Sequence, residues 1–454
     1  MISEVVDQQG ILASDNGAEG RPSMTGANKR DWYPWAIVAL LWLVCFFSYA
    51  DRQAFFSVFP LLQQDLHLTP VELGLLGSSF AVVYGLAGPF AGLVADRVRR
   101  KTAIITGLQF WSIVCIVSAF SRTFMQLLVF RGLEGLGECI YSPAAMSMVS
   151  DYHDKRSRSK AMGILQTSVY AGTVGGGFWA ASIAQRHGWR PAIFFFGIMG
   201  CLLGLALIKL MREPKRGAFE ASTSEFDAQG RVGQQSLKQG ISVLVSIKSF
   251  LMLMGGFACA NFVAMVLLTW MPTYLYSRFH LSLSAAAFTA AMYPQLASVA
   301  GSVCGGYLAD SAARRTAGGR MIVQCMGVML GAPLVLLCGT ANSLLQVKIA
   351  LICWGFFKGI YDSNIFASAF DVVPASTRGT VSGCMNCVGW MVGGGLAPVV
   401  IGFLSVRFTL GKAIAFSSIV YVVAGLLLLT TVVRFLKQDI DRLNAGGQLK
   451  AARA

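Results

Sequence analysis

Long apolar segments alternate with short polar ones along almost the whole chain of 454 residues. A helix needs roughly 20 apolar residues to cross the hydrocarbon core of a bilayer. Twelve segments approach or exceed that length, at about 34–60, 72–95, 102–121, 124–149, 160–184, 190–211, 247–276, 284–309, 320–340, 345–370, 378–405 and 411–435. The pattern predicts an all-α membrane protein with twelve transmembrane helices in two groups of six.

Polar segments separate and flank the two groups. Residues 212–245 are charged and poor in large apolar side chains, which indicates a linker between six-helix units at 34–211 and 246–435. Residues 1–33 predict a disordered N-terminal segment, and residues 436–454 predict a polar C-terminal tail. The first apolar run is longer than the apolar core of a secretory signal peptide, so no cleaved signal is expected.

The composition supports a membrane location. Hydrophobic residues make up 55% of the chain and charged residues 13%, against about 25% charged in soluble domains. The mean hydropathy is +0.60. The net charge of +15 would indicate nucleic-acid binding only if the basic residues formed one patch. They lie instead in short loops between apolar runs, so the expected partner is the lipid bilayer and not a nucleic acid.

The basic residues also predict an orientation, because Lys and Arg are enriched in cytoplasmic loops. They concentrate in alternate loops, in the linker and near both chain ends, for example Arg97, Arg99, Arg100, Lys101, Lys155, Arg156, Arg158, Lys160, Arg314, Arg315, Arg320 and Arg378. We therefore expect both termini and the linker to lie in the cytoplasm, with the protein in the cell inner membrane.

Three markers recur in the same order, offset by about 214 to 220 residues. GLVADRVRR at 92–100 returns as GYLADSAARR at 306–315, and the glycine triplet at 175–177 returns at 393–395. The third marker is an Asp, Arg and Gly with equal spacings, found at Asp151, Arg158 and Gly163 and again at Asp371, Arg378 and Gly383. The repeat predicts two pseudo-symmetric bundles around an axis along the membrane normal, as in secondary transporters.

No motif indicates enzyme or metal chemistry. The eleven cysteines are scattered through apolar segments, and no second pair accompanies Cys384-x-x-Cys387 to complete a zinc site. The sequence contains no phosphate-binding P-loop and no metalloprotease motif. We expect no metal, no cofactor and no catalytic residue, and a chain that functions as a monomer.

Charged residues inside the first and fourth spans are the first functional candidates, because a charge in the membrane is costly. Asp51 and Arg52 lie in the first span, and Arg131, Glu134 and Glu138 form one stripe of the fourth. A desolvated carboxylate near an arginine can switch its protonation when an anion binds. The alternative is a buried ion pair, such as Asp51 with Arg131, that only ties two helices together.

The tenth span carries a second group, Lys358, Tyr361, Asp362 and Asn364. Lys358 and Asp362 are four residues apart, so they share one helix face. The group either contributes to substrate selectivity or fixes a helix position, and the sequence leaves both open. Two uncharged polar residues, Gln166 and Asn261, are interpreted as forming hydrogen bonds between helices.

The loop after the second span, GPFAGLVADRVRRK, resembles the signature of the major facilitator superfamily. The resemblance implies a major facilitator fold and a charged cytoplasmic gate, with Asp96 pairing with Arg100 or with a helix N-terminus of the other half. The alternative is an ordinary basic loop. The predicted gate residues are Asp96, Arg97, Arg100, Asp151, Arg158, Asp310, Arg314, Asp371 and Arg378.

The first half also resembles the Spinster-like branch of lipid and amphiphile transporters, through SYADRQAFF, FWSIV, RGLEGLGECIYSP, DKRSRSKAMGI and REPKRGAFE. The Asp-Arg pair of the first span, with Arg and Glu seven apart in the fourth, is similar to the anion:cation symporters of sugar acids. These resemblances imply that Asp51 and Glu138 carry coupled protons and that Arg52 faces the substrate anion. Arg131, Glu134 and the tenth-span group are further candidate substrate contacts.

The function expected from these features is secondary active transport by alternating access, with protons as the coupling ion. The expected substrate is an organic anion, such as a sugar acid or another carboxylate, or an anionic amphiphile such as a lysolipid. The alternative is a transporter-like sensor or scaffold that binds a ligand without moving it.

Overall fold

The structure, a computed structural model, describes residues 32–214, 237–374 and 377–451. The predicted disordered segment falls almost entirely outside these ranges, and so does most of the predicted linker. The side chains of residues 92–96 also lie outside the described part, so the predicted gate contact of Asp96 falls outside the described residues.

Eight helices precede the linker. They are α1 (Tyr33–Ser57), α2 (Phe59–Asp65), α3 (Pro70–Arg97), α4 (Arg100–Ser118), α5 (Phe124–Glu138), α6 (Tyr141–Tyr152), α7 (Lys155–His187) and α8 (Trp189–Leu210). Ten α-helices follow the gap in the described chain: α9 (Leu237–Ser246), α10 (Lys248–Phe279), α11 (Leu283–Ala313), α12 (Gly319–Thr340), α13 (Leu344–Asp362), α14 (Ile365–Asp371), α15 (Arg378–Val388), α16 (Gly395–Arg407), α17 (Leu410–Thr430) and α18 (Leu436–Ala451). Two π-helical turns, Gly389–Gly394 and Thr431–Phe435, connect α15 to α16 and α17 to α18.

Nine helical segments of the described chain are long and apolar enough to cross a membrane. Three further predicted spans are α5 with α6, α7, and α11, which contain charged or small residues that lower their hydropathy. Some spans are interrupted by turns at charged side chains or at runs of small residues. Examples are the turn after Glu138 and the π-helical turn in the glycine-rich eleventh span, a type of irregularity that is frequent at functional sites.

Helix packing repeats between the two halves, as the sequence predicts. In the first half α1 packs on α7, α3 on α5 and α4 on α8. The equivalent pairs of the second half are α10 with the π-turn and α16, α11 with α13, and α12 with α17. Gly176 shows how close this packing is, because a Cβ atom there would lie 2.2 Å from the Cα of Ala50. The fold is the predicted one, two six-helix bundles of the same internal arrangement.

The bundle has two ends. We call the end where α1 begins and α8 stops the linker end, and the opposite one the distal end. At the distal end the halves are in direct contact, because a Cβ on Gly74 would lie 2.5 Å from the carbonyl oxygen of Pro398. The side chain of Gln53 also donates to the Leu268 carbonyl oxygen at 3.2 Å. The conformation is therefore closed between the halves at the distal end.

Candidate functional site

A central cavity of about 270 Å³ lies between the two halves. Arg52 of α1 and Lys358 of α13 contribute a cation from each half. The other polar lining groups are Tyr49, Gln53, Gln166, Tyr170, Thr173, Asn261, Gln295, Tyr361, Asp362 and Tyr421. Apolar and aromatic residues complete the wall, among them Phe56, Phe80, Phe257, Met265, Leu268 and Trp390. The cavity can therefore hold a small, polar, charged molecule.

Arg52 is bound to Glu138 at the edge of this cavity. The Arg52 Nε atom donates to Glu138 Oε2 at 2.7 Å, and Nη2 lies 2.5 Å from the same oxygen. The hydroxyl of Ser48 donates to Oε2 as well, at 2.6 Å. The Nη1 atom of Arg52 is buried and has no hydrogen-bond partner within the described part of the chain. The guanidinium thus keeps one donor group beyond its partnership with Glu138.

Four aromatic rings surround the Arg52 guanidinium. Its central carbon lies 4.7–4.9 Å from the ring centroids of Tyr49, Phe80, Tyr84 and Trp390. Rings at this distance attract a cation, and the attraction is stronger when water is excluded. Trp390 comes from the second half, in the π-helical turn, so the guanidinium contacts both halves of the protein.

A smaller cavity of about 90 Å³ adjoins the central one on the side of the first half. Glu138, Ser48 and Tyr84 line it, and Arg52 and Gln166 line both cavities. The Arg52–Glu138 pair therefore lies where the two cavities meet.

Asp51 points away from this pair, although it is adjacent to Arg52 in the sequence. Its Oδ1 atom accepts a hydrogen bond from Cys115 Sγ at 3.2 Å. Arg131 forms its ion pair with Glu134, one turn along α5, where the sequence analysis considered Asp51 as its partner. The structure corrects that pairing. Asp51, Arg131 and Glu134 do not line the central cavity in this conformation.

The tenth-span group divides in a similar way. Lys358 and Asp362 form an ion pair, and both line the central cavity with Tyr361. Asn364 lies outside the lining, where its amide donates to the Gly305 carbonyl oxygen at 3.2 Å. Asn364, which immediately precedes α14, therefore contacts α11 in this conformation and is not a wall residue.

Gate residues of the first half form a network at the linker end. Arg100 pairs with Asp151 and donates to the Ser147 carbonyl oxygen at 3.1 Å. Arg158 donates to the Ser150 carbonyl oxygen at 3.0 Å, whereas Arg97 is exposed. The sequence analysis missed Glu213, whose carboxylate accepts from the backbone amides of Arg100 and Lys101 at 2.8 Å each. This carboxylate caps the N-terminus of α4, where the helix dipole favours an anion.

In the second half, Arg320 is the centre of the corresponding network. Its Nη1 atom lies 2.9 Å from Asp371 Oδ1, and its Nη2 atom lies 3.4 Å from Asp310 Oδ1. Arg378 contacts the ring of Phe370 at 5.6 Å, and Arg314 is exposed. Each of the three ion pairs described at this end, Arg100–Asp151, Arg320–Asp371 and Arg320–Asp310, joins residues of the same half.

Several lining residues were missed or interpreted differently from the sequence. Gln166 and Asn261 were assigned to helix contacts, and Asn261 does donate to the Gly389 carbonyl oxygen, yet both line the cavity. Phe80 and Tyr84 were overlooked among many aromatic residues. Their spacing of four on α3 places them on one face, which is the signal that was available.

Comparisons with known proteins give a consistent result. The sequence profile of the Major Facilitator Superfamily matches residues 41–398. The Protein spinster of Drosophila melanogaster is 26% identical over 382 residues, which is 82% of this chain and 62% of that protein. The chain thus spans less than two thirds of the Drosophila protein. The probable galactarate/D-glucarate transporter GudP of Escherichia coli (strain K12) is 27% identical over 401 residues, 83% of this chain and 87% of that protein. The hexuronate transporter of Bacillus subtilis (strain 168) is 24% identical over 377 residues, 81% and 87% of the two chains.

Solved structures match the fold. A bacterial homolog of the human lysosomal transporter Spinster, in an inward-facing and occupied conformation, superposes with a TM-score of 0.78 at 21% identity, over 90% of this chain and 98% of that one. The same homolog in its unoccupied inward-facing conformation gives a TM-score of 0.75. These structures confirm the predicted fold. The sequence relatives confirm the resemblance to both transporter branches.

Proposed function

The chain belongs to the major facilitator superfamily, a family of multi-pass membrane transporters and not of enzymes, and from that premise we propose that it moves an organic anion by alternating access, coupled to protons. The coupling ion and the class of substrate are the parts that we infer from the site.

One observation carries the proposal of an anionic substrate. Arg52 lines the central cavity, and its Nη1 atom is buried with no hydrogen-bond partner in the described chain. A buried donor without a partner is costly, and hydrogen bonds to charged groups are worth about 1.5–3 kcal/mol. A carboxylate or phosphate oxygen in the cavity would supply both the missing acceptor and a negative charge. A guanidinium also matches the planar shape of a carboxylate.

The proposal of proton coupling follows from the competition for this guanidinium. Glu138 as a carboxylate already neutralises Arg52, so a second anion would place two negative charges at one cation. Protonation of Glu138 removes that competition, because the neutral acid no longer attracts the guanidinium strongly. Substrate and proton then bind together, and the pair returns to the charge-neutral Arg52–Glu138 state after both have left.

Cavity size and polarity favour a small sugar acid over a lysolipid. The volume of about 270 Å³ lies just below the range of about 300–1,000 Å³ typical of sites for drug-sized ligands. Amides of Gln166, Asn261 and Gln295 face the space and match the hydroxyl groups of a sugar acid. Two relatives are named as hexuronate and galactarate/D-glucarate transporters, which supports the same class for this chain.

We propose that the protein lies in the inner membrane of the cell and that its linker end faces the cytoplasm. The loops and helix ends on that side carry Arg99, Arg100, Lys101, Arg314 and Arg315, and such basic segments face the cytoplasm in most membrane proteins. In this orientation the closed distal end faces away from the cytoplasm. Because the substrate path lies within one chain, we expect the monomer to be the functional unit.

Binding to the purified protein tests the proposal. Titration with D-glucuronate, D-glucarate and a lysophospholipid should show binding of the sugar acids. Arg52→Ala should weaken sugar-acid binding by about 10- to 150-fold, since about 1.5–3 kcal/mol of charge-assisted hydrogen bonding is lost. Arg52→Lys should restore part of the affinity, because a point charge replaces the planar fork.

Arg122→Ala is the matched control, since Arg122 is an exposed arginine in the loop before α5 and does not line the cavity. Its variant should bind like the wild type. Sugar-acid affinity within twofold of wild type in Arg52→Ala would contradict the anion site. Binding of the lysophospholipid alone would shift the substrate to the amphiphile class.

A further inference from the structure

An ion pair of the second half faces the central cavity. Lys358 and Asp362 of α13 form this pair, and both line the cavity together with Arg52 of the first half. The acid is the more accessible partner, because the Asp362 side chain is 35% exposed and the Lys358 side chain is 19% exposed. Lys358 Nζ donates to Asp362 Oδ2, whereas Asp362 Oδ1 accepts no hydrogen bond from another described residue. The second half therefore presents a carboxylate oxygen to the cavity.

The stability of α13 does not account for this pair. Along a helix, an acid placed four residues after its basic partner is the less favourable order of the two. Asp362 is also the last residue of α13, where the negative end of the helix dipole disfavours a carboxylate. Both partners belong to α13, so the pair cannot tie two helices together. Of the two roles that the sequence leaves open, a role in substrate selectivity is the one that fits this geometry.

The charges around the cavity balance one negative charge of a ligand and not two. In the described part of the chain, the charged residues that line the central cavity are Arg52, Lys358 and Asp362. Glu138 lies outside this lining, and in the proposed function it is protonated when substrate is bound. The lining then sums to one positive charge. A monocarboxylate brings this sum to zero, whereas a dicarboxylate leaves an unbalanced negative charge in a site largely removed from water, which is costly.

The two halves also offer different hydrogen-bonding chemistry to a ligand. Arg52 Nη1 is a donor with no partner in the described chain, whereas the Asp362 carboxylate is an acceptor only. A ligand carboxylate suits the first group, and ligand hydroxyl groups, which donate, suit the second. Hydrogen bonds to an ionised acceptor are roughly twice as strong as those between neutral groups. A molecule with a carboxylate at one end and hydroxyl groups at the other matches both.

We propose that Asp362 selects sugar acids with one carboxylate, such as aldonates and uronates, over dicarboxylic aldarates by accepting hydrogen bonds from the hydroxyl groups of the substrate. Arg52 holds the carboxylate end. Lys358 is a positioning residue, which fixes the Asp362 carboxylate and neutralises it when the cavity is empty. The assignment rests on the proposed function, because it takes a sugar acid as the ligand. It narrows the substrate class, since the proposed function includes sugar acids with one and with two carboxylates.

Binding of three linear acids with equal numbers of carbon atoms to the purified protein tests the assignment. D-Gluconate has one carboxylate and several hydroxyl groups, D-glucarate has a carboxylate at both ends, and hexanoate has no hydroxyl group. The wild type should bind D-gluconate about 10- to 150-fold more tightly than D-glucarate, because the second carboxylate replaces a charge-assisted hydrogen bond to Asp362 with repulsion. Hexanoate, which lacks the same hydrogen bond, should also bind more weakly than D-gluconate.

Asp362→Asn removes the repelling charge and releases the Lys358 ammonium. The charge of the lining rises by one, so the preference should invert toward D-glucarate. D-Gluconate should at the same time lose most of its advantage over hexanoate, because the acceptor is no longer ionised.

Two further variants guard against a folding defect. Lys358→Met combined with Asp362→Asn leaves no unpaired lysine and keeps the sum of one positive charge. This double variant should lose the advantage of D-gluconate over hexanoate without an inversion toward D-glucarate. Asp65→Asn is the matched control, since Asp65 is paired with Arg190 and does not line the cavity. It should keep the wild-type preference.

The outcomes separate this assignment from the proposed function. A wild type that binds D-glucarate as tightly as D-gluconate, or an Asp362→Asn variant with the wild-type preference, would overturn the role of Asp362. If D-glucarate is preferred and its binding is lost in Arg52→Ala, the anion site stands and the role of Asp362 alone is wrong. If neither sugar acid binds, the proposed function is wrong and the assignment is wrong with it.

Discussion

Replacement of Glu138 by glutamine is the perturbation that separates proton coupling from substrate binding. One oxygen, Glu138 Oε2, accepts from Arg52 Nε at 2.7 Å and from Ser48 Oγ at 2.6 Å, and lies 2.5 Å from Arg52 Nη2. Glutamine keeps the size and the carbonyl oxygen but removes the charge. It therefore resembles the protonated acid permanently.

The size of the effect follows from this geometry. In the wild type at alkaline pH, a substrate anion competes with the Glu138 carboxylate for one guanidinium. Charge-assisted hydrogen bonds are worth about 1.5–3 kcal/mol, so removing the competitor should strengthen anion binding by roughly 10- to 150-fold. In acidic buffer wild-type Glu138 is protonated, and the two proteins should bind alike. The pH dependence of affinity should thus flatten in Glu138→Gln.

The same substitution that strengthens anion binding should lower the stability of the substrate-free protein. Without substrate, Glu138→Gln leaves Arg52 buried with no compensating carboxylate, a situation that typically costs about 3–5 kcal/mol. The melting temperature of the empty variant should fall, and a saturating sugar acid should restore much of it. Calorimetric titration across pH, together with thermal unfolding with and without ligand, measures both effects.

Ser48→Ala is the matched control, because it removes one hydrogen bond to the same oxygen and keeps the charge. Its affinity should remain as pH-dependent as that of the wild type. The reasoning is refuted if Glu138→Gln binds with wild-type pH dependence, since the proton that controls the anion site would then reside elsewhere. In flux assays the variant should support exchange of substrate but not its accumulation against a gradient.

Two further predictions concern the distal end. Gly74→Ala places a methyl group 2.5 Å from the Pro398 carbonyl oxygen, and overpacking of this kind typically costs about 1–3 kcal/mol. Spin-label distances between the halves should therefore lengthen at the distal end. Gly88→Ala is the control on the same helix, because a Cβ there has nothing within 4 Å, and equal distance distributions in both variants would contradict the closure. The Trp189 indole hydrogen bond, with Arg190, lowers the pKa of Asp65 below its ordinary 3.8, so the ionised carboxylate stabilises the fold above that pH and loses this contribution as pH falls through the lowered value. Asp65→Asn should lower the melting temperature slightly at neutral pH and not in strong acid, and a difference that grows in acid would have the wrong sign.

Much of the fold could be predicted because it depends on local pattern. Apolar segment lengths predicted the spans, and the repeated Gly, Asp and Arg spacings predicted the paired bundles. The intramembrane charges were also identifiable one by one, since a charge in an apolar run is conspicuous. The breaks in the fourth and tenth spans were not predicted, because they depend on how neighbouring helices fill the space.

The pairing of the charges could not be predicted, for geometric reasons. Successive helix residues point about 100° apart, so Asp51 and Arg52 face different neighbours although they are adjacent. Which of them meets Arg131 depends on the rotation of α1 against α5, and the structure gives Arg131 to Glu134 instead. Trp390 lies in a π-helical turn, where the normal helical spacing fails, so its position beside Arg52 left no signal in the sequence.

Flux in proteoliposomes tests the central claim most directly. Purified protein in vesicles, with the membrane potential clamped, should accumulate a labelled sugar acid when a pH gradient is imposed across the membrane. The accumulation should vanish when a proton ionophore collapses the gradient and should be absent in Arg52→Ala. Sugar-acid uptake that only equilibrates and ignores the gradient would contradict proton coupling. Tight binding with no flux in either direction would contradict transport itself and favour a ligand sensor.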